Sequence, residues 1–328
     1  MKTLFIFAQM HYAHANFADG IAAKKIKIGP YKNKLNLPFW YFKCLLKIPK
    51  NYDVYITEDP AFRLIIPIIK RFNRGAKFIS VIAYGKPYII SKITPYQKTS
   101  YKNALEKFDG LVAASPMIKG LLVDIGISEK KICIARPSTK TETIEELHRC
   151  KPNLTSQNII IIGNALDREI KGLDILVDAI RILRKKYSKI KLFIVGGNND
   201  TSIKKYSKLN FINFLGFQKA LSKPIKDCSL CVHVGKGDAY PISTQETMHA
   251  GLPTVVSKWT GTKEIVDRVD KKFVIDPDKD SAVKVIDWYF KLTLKEKKIF
   301  SKKFRKAVSF LTPDESQREF KNAIKELV

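Results

Sequence analysis

Nowhere in this chain of 328 residues do apolar residues run on for the roughly 20 positions that a helix needs to cross a bilayer. The apolar run at the N-terminus, Leu4 to Ala8, is too short for a signal peptide, and Gln9, His11 and His14 follow at once. It reads as a first buried strand, and the protein is expected in the cytoplasm. Cysteine is scarce: five residues (Cys44, Cys133, Cys150, Cys228 and Cys231), odd in number and scattered. That excludes a disulfide framework and fits a reducing compartment. Cys228 and Cys231 form a lone CxxC with no second pair and no histidines at ligand spacing, so no metal is expected there and the thiols read as buried. Acid is in short supply too, 31 Asp and Glu against 59 Lys and Arg, a net charge of +28. Such a charge implies an anionic partner (membrane surface, nucleic acid or phosphorylated acceptor) or serves solubility alone. Nucleic acid is the weakest of these, because no recognised motif and no basic stripe on one helix accompanies the charge.

What is present argues for two ordinary domains. The length suits two better than one, and 45% hydrophobic residues can fill two cores. Strand-like runs alternate with helical segments: Asp53–Thr57, Lys77–Ala83, Gly110–Ser115 and Lys131–Pro137, then Asn158–Gly163, Lys191–Val195 and Phe211–Gly216. That alternation predicts parallel α/β sheets. Ser138 to Gln157 is polar and reads as the connection. The expected division is 1–140, a linker over 141–157, a second domain over 158–300, and helices over 301–328. Between Phe62 and Phe72 a short apolar helix is expected, interrupted at Pro67.

The densest chemistry lies in Gly237-Asp238-Ala239-Tyr240-Pro241-Ile242-Ser243-Thr244-Gln245-Glu246-Thr247-Met248-His249-Ala250-Gly251-Leu252-Pro253. An apolar strand leads in through Leu230-Cys231-Val232-His233-Val234. Glu246 lies on a helix that Gly251-Leu252-Pro253 stops, and Thr254-Val255-Val256 opens the next strand. Two carboxylates, Asp238 and Glu246, therefore flank a loop at the carboxyl end of a strand, where open α/β sheets bind ligands. The first turn of the following helix would favour an anion.

This stretch resembles the acidic-x7-acidic signature of retaining, family 4-type glycosyltransferases, with Met248, Gly251 and Pro253 in register. The resemblance implies a GT-B fold, two Rossmann-like parallel α/β domains facing a central cleft, with part of 300–328 crossing back onto the first domain. It implies transfer of a sugar from a nucleotide donor, UDP- or GDP-linked, with retention and without a cofactor or metal. By the same resemblance Asp238 would hold donor-sugar hydroxyls and Glu246 the nucleotide ribose. Backbone groups of Ala239, Tyr240, Pro241, Ile242 and Ser243 would face the sugar and diphosphate. Upstream, Lys171-Gly172 is similar to the family's Lys-Gly, whose lysine binds the diphosphate. Gly163 is followed by Asn164 where the family usually has arginine, and Arg168 is the nearest substitute. Thr260-Gly261-Thr262-Lys263-Glu264 resembles the turn near the donor base and ribose, which implicates Glu264; Glu264 reads equally as a helix cap.

On the acceptor side the resemblance is one of strand order and size. The glycine pair expected after the first strand is missing, the first glycine being Gly20, and Ala83-Tyr84-Gly85-Lys86 stands where a histidine is usual. His11, His14, Tyr84 and Lys86 are the acceptor-side candidates. These departures leave a second reading open, a relative that binds a nucleotide or an anionic surface without transferring sugar. A glycosidase using Asp238 and Glu246 would need a defined carboxylate separation and an apolar pocket for the acid, and nothing in the sequence supplies either.

Charge points to the acceptor's class. Between Ile21 and Lys107 stand 18 Lys and Arg against four acids. Within that span Leu35–Lys47 packs four aromatics between lysines. It reads either as a helix covering the first sheet with its lysines in water, or as an interfacial helix that touches a membrane. A lipid-linked acceptor at an anionic membrane surface fits the second; a glycan or protein acceptor is the alternative.

Overall fold

The computed structural model describes residues 1–328 except 10, 30–33, 59, 86–87, 89–91, 93, 165, 167–170 and 198–199, and omits side chains 34 and 60. Two of the residues singled out above, Lys86 and Arg168, lie outside the described residues. The chain divides into two compact units, Met1–Ser138 with Pro313–Val328, and Thr139–Thr312.

Unit 1 runs β1 (Thr3–Phe7), α1 (Tyr12–Gly20), β2 (Lys24–Lys27), α2 (Leu37–Lys47), β3 (Val54–Thr57), α3 (Ile66–Phe72) and β4 (Lys77–Ile82). It continues through α4 (Pro95–Leu105), β5 (Gly110–Ala113), α5 (Pro116–Asp124) and β6 (Ile132–Ile134). Among the described residues the six strands form one parallel sheet, β2-β1-β3-β4-β5-β6. Every residue of β1 and β3 is buried, as an almost wholly apolar run in a doubly covered sheet requires. β2 has no counterpart in the sequence reading. Its run Lys24-Lys25-Ile26-Lys27 carries no apolar signal because it is an edge strand, where lysines keep other chains from pairing. Pro67 does not interrupt a helix but sits in the first turn of α3, where its missing N–H costs nothing; Pro60–Leu64 before it is a separate 3-10 turn.

Unit 2 runs α6 (Thr141–His148), β7 (Asn158–Ile162), α7 (Leu173–Leu183), β8 (Lys191–Val195), α8 (Asp200–Tyr206), β9 (Ile212–Gly216) and α9 (Ser222–Ile225). It continues through β10 (Leu230–His233), α10 (Ile242–His249), β11 (Thr254–Ser257), α11 (Lys263–Val266), β12 (Val274–Ile275), α12 (Lys279–Lys291) and α13 (Leu294–Val308). Its sheet is also parallel, in the order β12-β11-β10-β7-β8-β9. The segment expected as a linker, 141–157, is corrected by α6: Ile144 and Leu147, three apart on one face, are buried, and Leu147 joins the core with Cys150, Ile160 and Leu252. All five cysteines are buried thiols. Burial foremost pushes the Cys231 thiol up to about 12, which makes it an inert packing group.

The last helix, α14 (Pro313–Leu327), returns to unit 1. Phe320 stacks on Phe17 at 4.5 Å between ring centroids, and Ala323 and Ile324 complete the same core. Arg136 donates to Glu319 at 2.7 Å, and Asn16 donates to the Pro313 carbonyl at 3.0 Å. In unit 2, Arg305 of α13 donates to the carbonyls of His148 (2.8 Å), Cys150 (2.6 Å) and Ala250 (2.7 Å), at the carboxyl ends of α6 and α10.

Strand order fixes where a ligand can enter each unit. In unit 1 the order reverses between β1 and β3, and in unit 2 between β7 and β10. At such a switch point the loops leave in opposite directions and open a crevice beyond the carboxyl ends of the strands.

Candidate functional site

In unit 2 the residues singled out from the sequence leave those two strands. Gly163 and Asn164 follow β7, and Asp238 follows β10 after a short turn. Gly172, at φ +73°, sits at the N-cap of α7, so close to the exit of β10 that a Cβ there would lie 2.3 Å from the Val234 carbonyl oxygen. Only glycine permits that approach. It brings the preceding residue, Lys171, against the loop: Lys171 Nζ donates to Asp238 Oδ2 at 2.6 Å. His233 Nε2, on β10, lies 3.0 Å from the same oxygen, within ion-pair range but off the line of a hydrogen bond. Burial alone would push the Asp238 carboxyl up; the Lys171 ammonium and His233 outweigh it and hold the carboxyl well below the usual carboxylate range. Asp238 is therefore an anion with a fixed cation beside it.

Backbone contacts set the loop rigidly. Gly237 donates to the Trp259 carbonyl at 3.0 Å, and Gly261 donates to the Asp238 carbonyl at 2.8 Å. Below it, a file of buried hydroxyls locks α10 against the strands: Thr244 to Thr262 at 2.8 Å, Thr247 to Thr254 at 2.9 Å, and Ser257 to Thr260 at 3.1 Å. Ala239, Tyr240 and Pro241 are buried, while Ile242 and Ser243 are half-buried at the start of the helix. Pro241 occupies the N-cap of α10 and has no side-chain acceptor, so the first-turn N–H groups receive no cap from it. An anion is their natural partner.

Glu246, one turn further along α10, accepts from Thr139 Oγ1 at 2.7 Å. Burial foremost, with Glu146 adding to it, pushes its carboxyl up to about 7, and the Thr139 hydrogen bond only partly opposes this. The two acids of the motif are thus in opposite states: Asp238 is held ionised and Glu246 is poised near neutrality. Tyr240 donates to Glu264 Oε1 at 3.2 Å, which ties the loop of Asp238 to α11. Asn164 Oδ1 accepts from the Gly197 N–H at 2.8 Å, so where the resembled family usually places an arginine this chain has a side chain that joins the loops after β7 and β8.

In unit 1, His11 and His14 follow β1, their rings 5.9 Å apart. His11 caps α1, Nδ1 accepting from the Ala13 N–H at 3.3 Å. Burial, and then His14, lower its imidazole, so it is neutral at pH 7. His14 Nδ1 is hydrogen-bonded to Glu58, the first residue past β3. The dyad spans the switch point of this unit. Tyr84, past β4, shares a hydrogen bond with Tyr101 at 3.2 Å.

Three partners escaped the sequence reading: His233, Thr139 and Glu58. Each lies far along the chain from the residue it touches, or is hidden inside an apolar strand. Only strand order could have found Glu58, since it ends the strand next to β1.

Against known proteins, the profile of the family "Glycosyl transferases group 1" matches residues 143–307, just over half of the chain. An uncharacterized glycosyltransferase of Methanocaldococcus jannaschii is 25% identical over 260 residues; the match covers 72% of this chain and 65% of that protein. Among solved structures, HepE of Anabaena, in complex with UDP and glucose, superposes with a TM-score of 0.72 at 14% identity, covering 99% of both chains. A glycosyltransferase from Rickettsia africae superposes with a TM-score of 0.70 at 16% identity, also over 99% of both. At such identities the structural likeness speaks for the fold, which is GT-B. With the family profile lying over the site just described, the chain belongs to the group 1 glycosyl transferases.

Proposed function

We propose that the protein transfers a sugar from a nucleotide-sugar donor to an acceptor, with retention of anomeric configuration and without a metal. One observation carries the reading. A lysine and an ionised carboxylate meet beside the uncapped start of α10, at the switch point of the sheet that the family profile covers. HepE, of the same fold, binds UDP and UDP-glucose, which supports a UDP-linked donor over a GDP-linked one. As the glycosidic bond breaks, charge gathers on the departing diphosphate, and fixed cations and N–H groups stabilise it best. An ammonium has three N–H groups. With one held by Asp238, Lys171 keeps two for phosphoryl oxygens, and the first turn of α10 adds more. Asp238 in its ionised form accepts from sugar hydroxyls, and Glu246 from the ribose. His14 with Glu58 holds the acceptor hydroxyl. The charge of the N-terminal segment supports a lipid-linked acceptor.

The reading is tested by thermal stabilisation with a panel of nucleotides and nucleotide sugars, on the parent and on Glu246→Gln. A ligand at about 100 times its dissociation constant stabilises the fold by roughly 2.7 kcal/mol. A shift with uridine nucleotides that the variant loses is expected. No shift with any nucleotide would overturn the reading and leave a family member that no longer handles donors.

A pH dependence follows from Glu246, whose carboxyl lies at about 7. Only the carboxylate accepts from both ribose hydroxyls, so nucleotide affinity should rise as pH climbs through 7 and level off above it. In the free protein the sign is opposite. The raised carboxyl contributes destabilisation that is absent below its unfolded value and grows until pH passes the folded one. Glu246→Gln should flatten both curves, measured by calorimetric titration and by melting at several pH values.

A further inference from the structure

The helix α2 is turned the wrong way for a helix that merely covers a sheet. Trp40 and Cys44 are its buried residues, and Trp40 Nε1 donates to the Gly29 carbonyl at 2.8 Å. The opposite face carries an apolar stripe in water, Phe39 (74% exposed), Phe42 (59%) and Leu46 (72%), preceded by Leu35 (89%) in the 3-10 turn Lys34–Asn36. The spacing of three and four residues puts Phe39, Phe42 and Leu46 in one line along the helix. Lys43 and Lys47 flank the stripe. Phe72 of α3 is exposed too, with Lys50 Nζ 5.5 Å from its ring centroid. Together α2 and α3 hold four cations, Lys43, Lys47, Lys70 and Arg71, and no acid. The turn Pro60–Leu64 extends the face: Phe62 packs on Trp40 at 5.2 Å, and Arg63 and Leu64 line a groove of about 540 Å³ with Tyr96 and Lys107.

We propose that this face of unit 1 docks on an anionic phospholipid bilayer, α2 lying in the interface with its phenylalanines among the acyl chains and its lysines at the phosphates. Aromatic and aliphatic residues flanked by lysines, with no acid between, match the two layers that such a surface offers. A second copy of the chain is a poor occupant by the same chemistry. It would set lysine against lysine on a protein of net charge +28, and like charges across an interface oppose association. Trp40 binds Gly29, just past β2, so the stripe starts at the carboxyl end of the unit 1 sheet, the end that carries His14 and Glu58. A bilayer on α2 would present its headgroups to that end.

The test is sedimentation with phosphatidylcholine vesicles and with vesicles rich in phosphatidylglycerol. The parent should bind the second kind, less so as salt rises. The double variant Phe39→Ser with Phe42→Ser should lose about tenfold or more of that binding, as should Lys43→Glu with Lys47→Glu. Phe217→Ser, an exposed aromatic of unit 2, should bind as the parent does. All four substituted positions on α2 are exposed or half-buried, so melting midpoints should stay near the parent's and report a retained fold. Three results would each overturn the proposal: a parent indifferent to phosphatidylglycerol, a phenylalanine variant that binds like the parent, or a lipid-free dimer that this variant dissociates. The readout is vesicle binding and not sugar transfer, so it holds or fails independently of the nucleotide experiment.

Discussion

Replacing Lys171 with alanine is expected to lower kcat for sugar transfer about 100- to 1,000-fold, the range seen when one preorganised donor to a developing charge is removed. The same change should weaken the pH response at Asp238. In the parent the carboxyl is held low, so it contributes stability that is present above the unfolded value of about 3.9 and lost as pH falls through the folded one. Without the lysine only His233 is left to oppose burial, and the carboxyl moves up from its low value. The variant should then lose less stability on acidification than the parent does. At pH 7 the variant should be less stable by about 1–3 kcal/mol, below the 3–5 of a fully buried pair because Lys171 is 21% exposed and Asp238 12%. Melting curves across pH read the sign directly, and an unchanged profile would show that the pair does not persist in solution.

The largest stability loss is expected from Gly196→Ala. Gly196 follows β8 at φ +127°, a conformation that L-residues rarely adopt, and a Cβ there would lie 2.1 Å from the Gly163 carbonyl oxygen. Neither backbone can yield without opening the turn at the end of β7, which also presents Asn164. A loss of about 3 kcal/mol or more, a fall in melting midpoint of roughly 6–12 °C, is expected. Gly216→Ala separates the two causes. It also has positive φ, +63°, but nothing stands within 4 Å of its added carbon. It should lose only about 1–2 kcal/mol, the cost of the left-handed backbone. Equal losses at the two positions would remove the close approach as the explanation.

The elements around Asp238 and Glu246 were largely legible in the sequence because their signals are local. The strand into β10, the acids on either side of the loop and the glycine that stops α10 lie within one continuous stretch; Gly251 takes the left-handed conformation, φ +73°, that ends a helix. What stayed hidden was non-local or two-faced. β2 has no apolar alternation because an edge strand of lysines does not need it. His233, Thr139 and Glu58 are 5, 107 and 44 positions from Asp238, Glu246 and His14; the packing of α6 on α10 brings Thr139 into reach, and sheet order brings Glu58. For α2 the composition announced an amphipathic helix but not which side faces the protein. A tryptophan and a cysteine turn inward, two phenylalanines and a leucine outward, and no hydropathy scale orders them that way.

The three hydrogen bonds of Arg305 have a mechanical consequence. They fasten the far end of α10 to α13 and α6, while at the near end Thr244 ties the first turn to the Pro241 carbonyl and to Thr262. With both ends of α10 held, the loop of Asp238 rests on a helix that does not swing. A chain cut ahead of Arg305 would lose one of the two anchors, and that loop would lose part of the fixed backing that holds it in place.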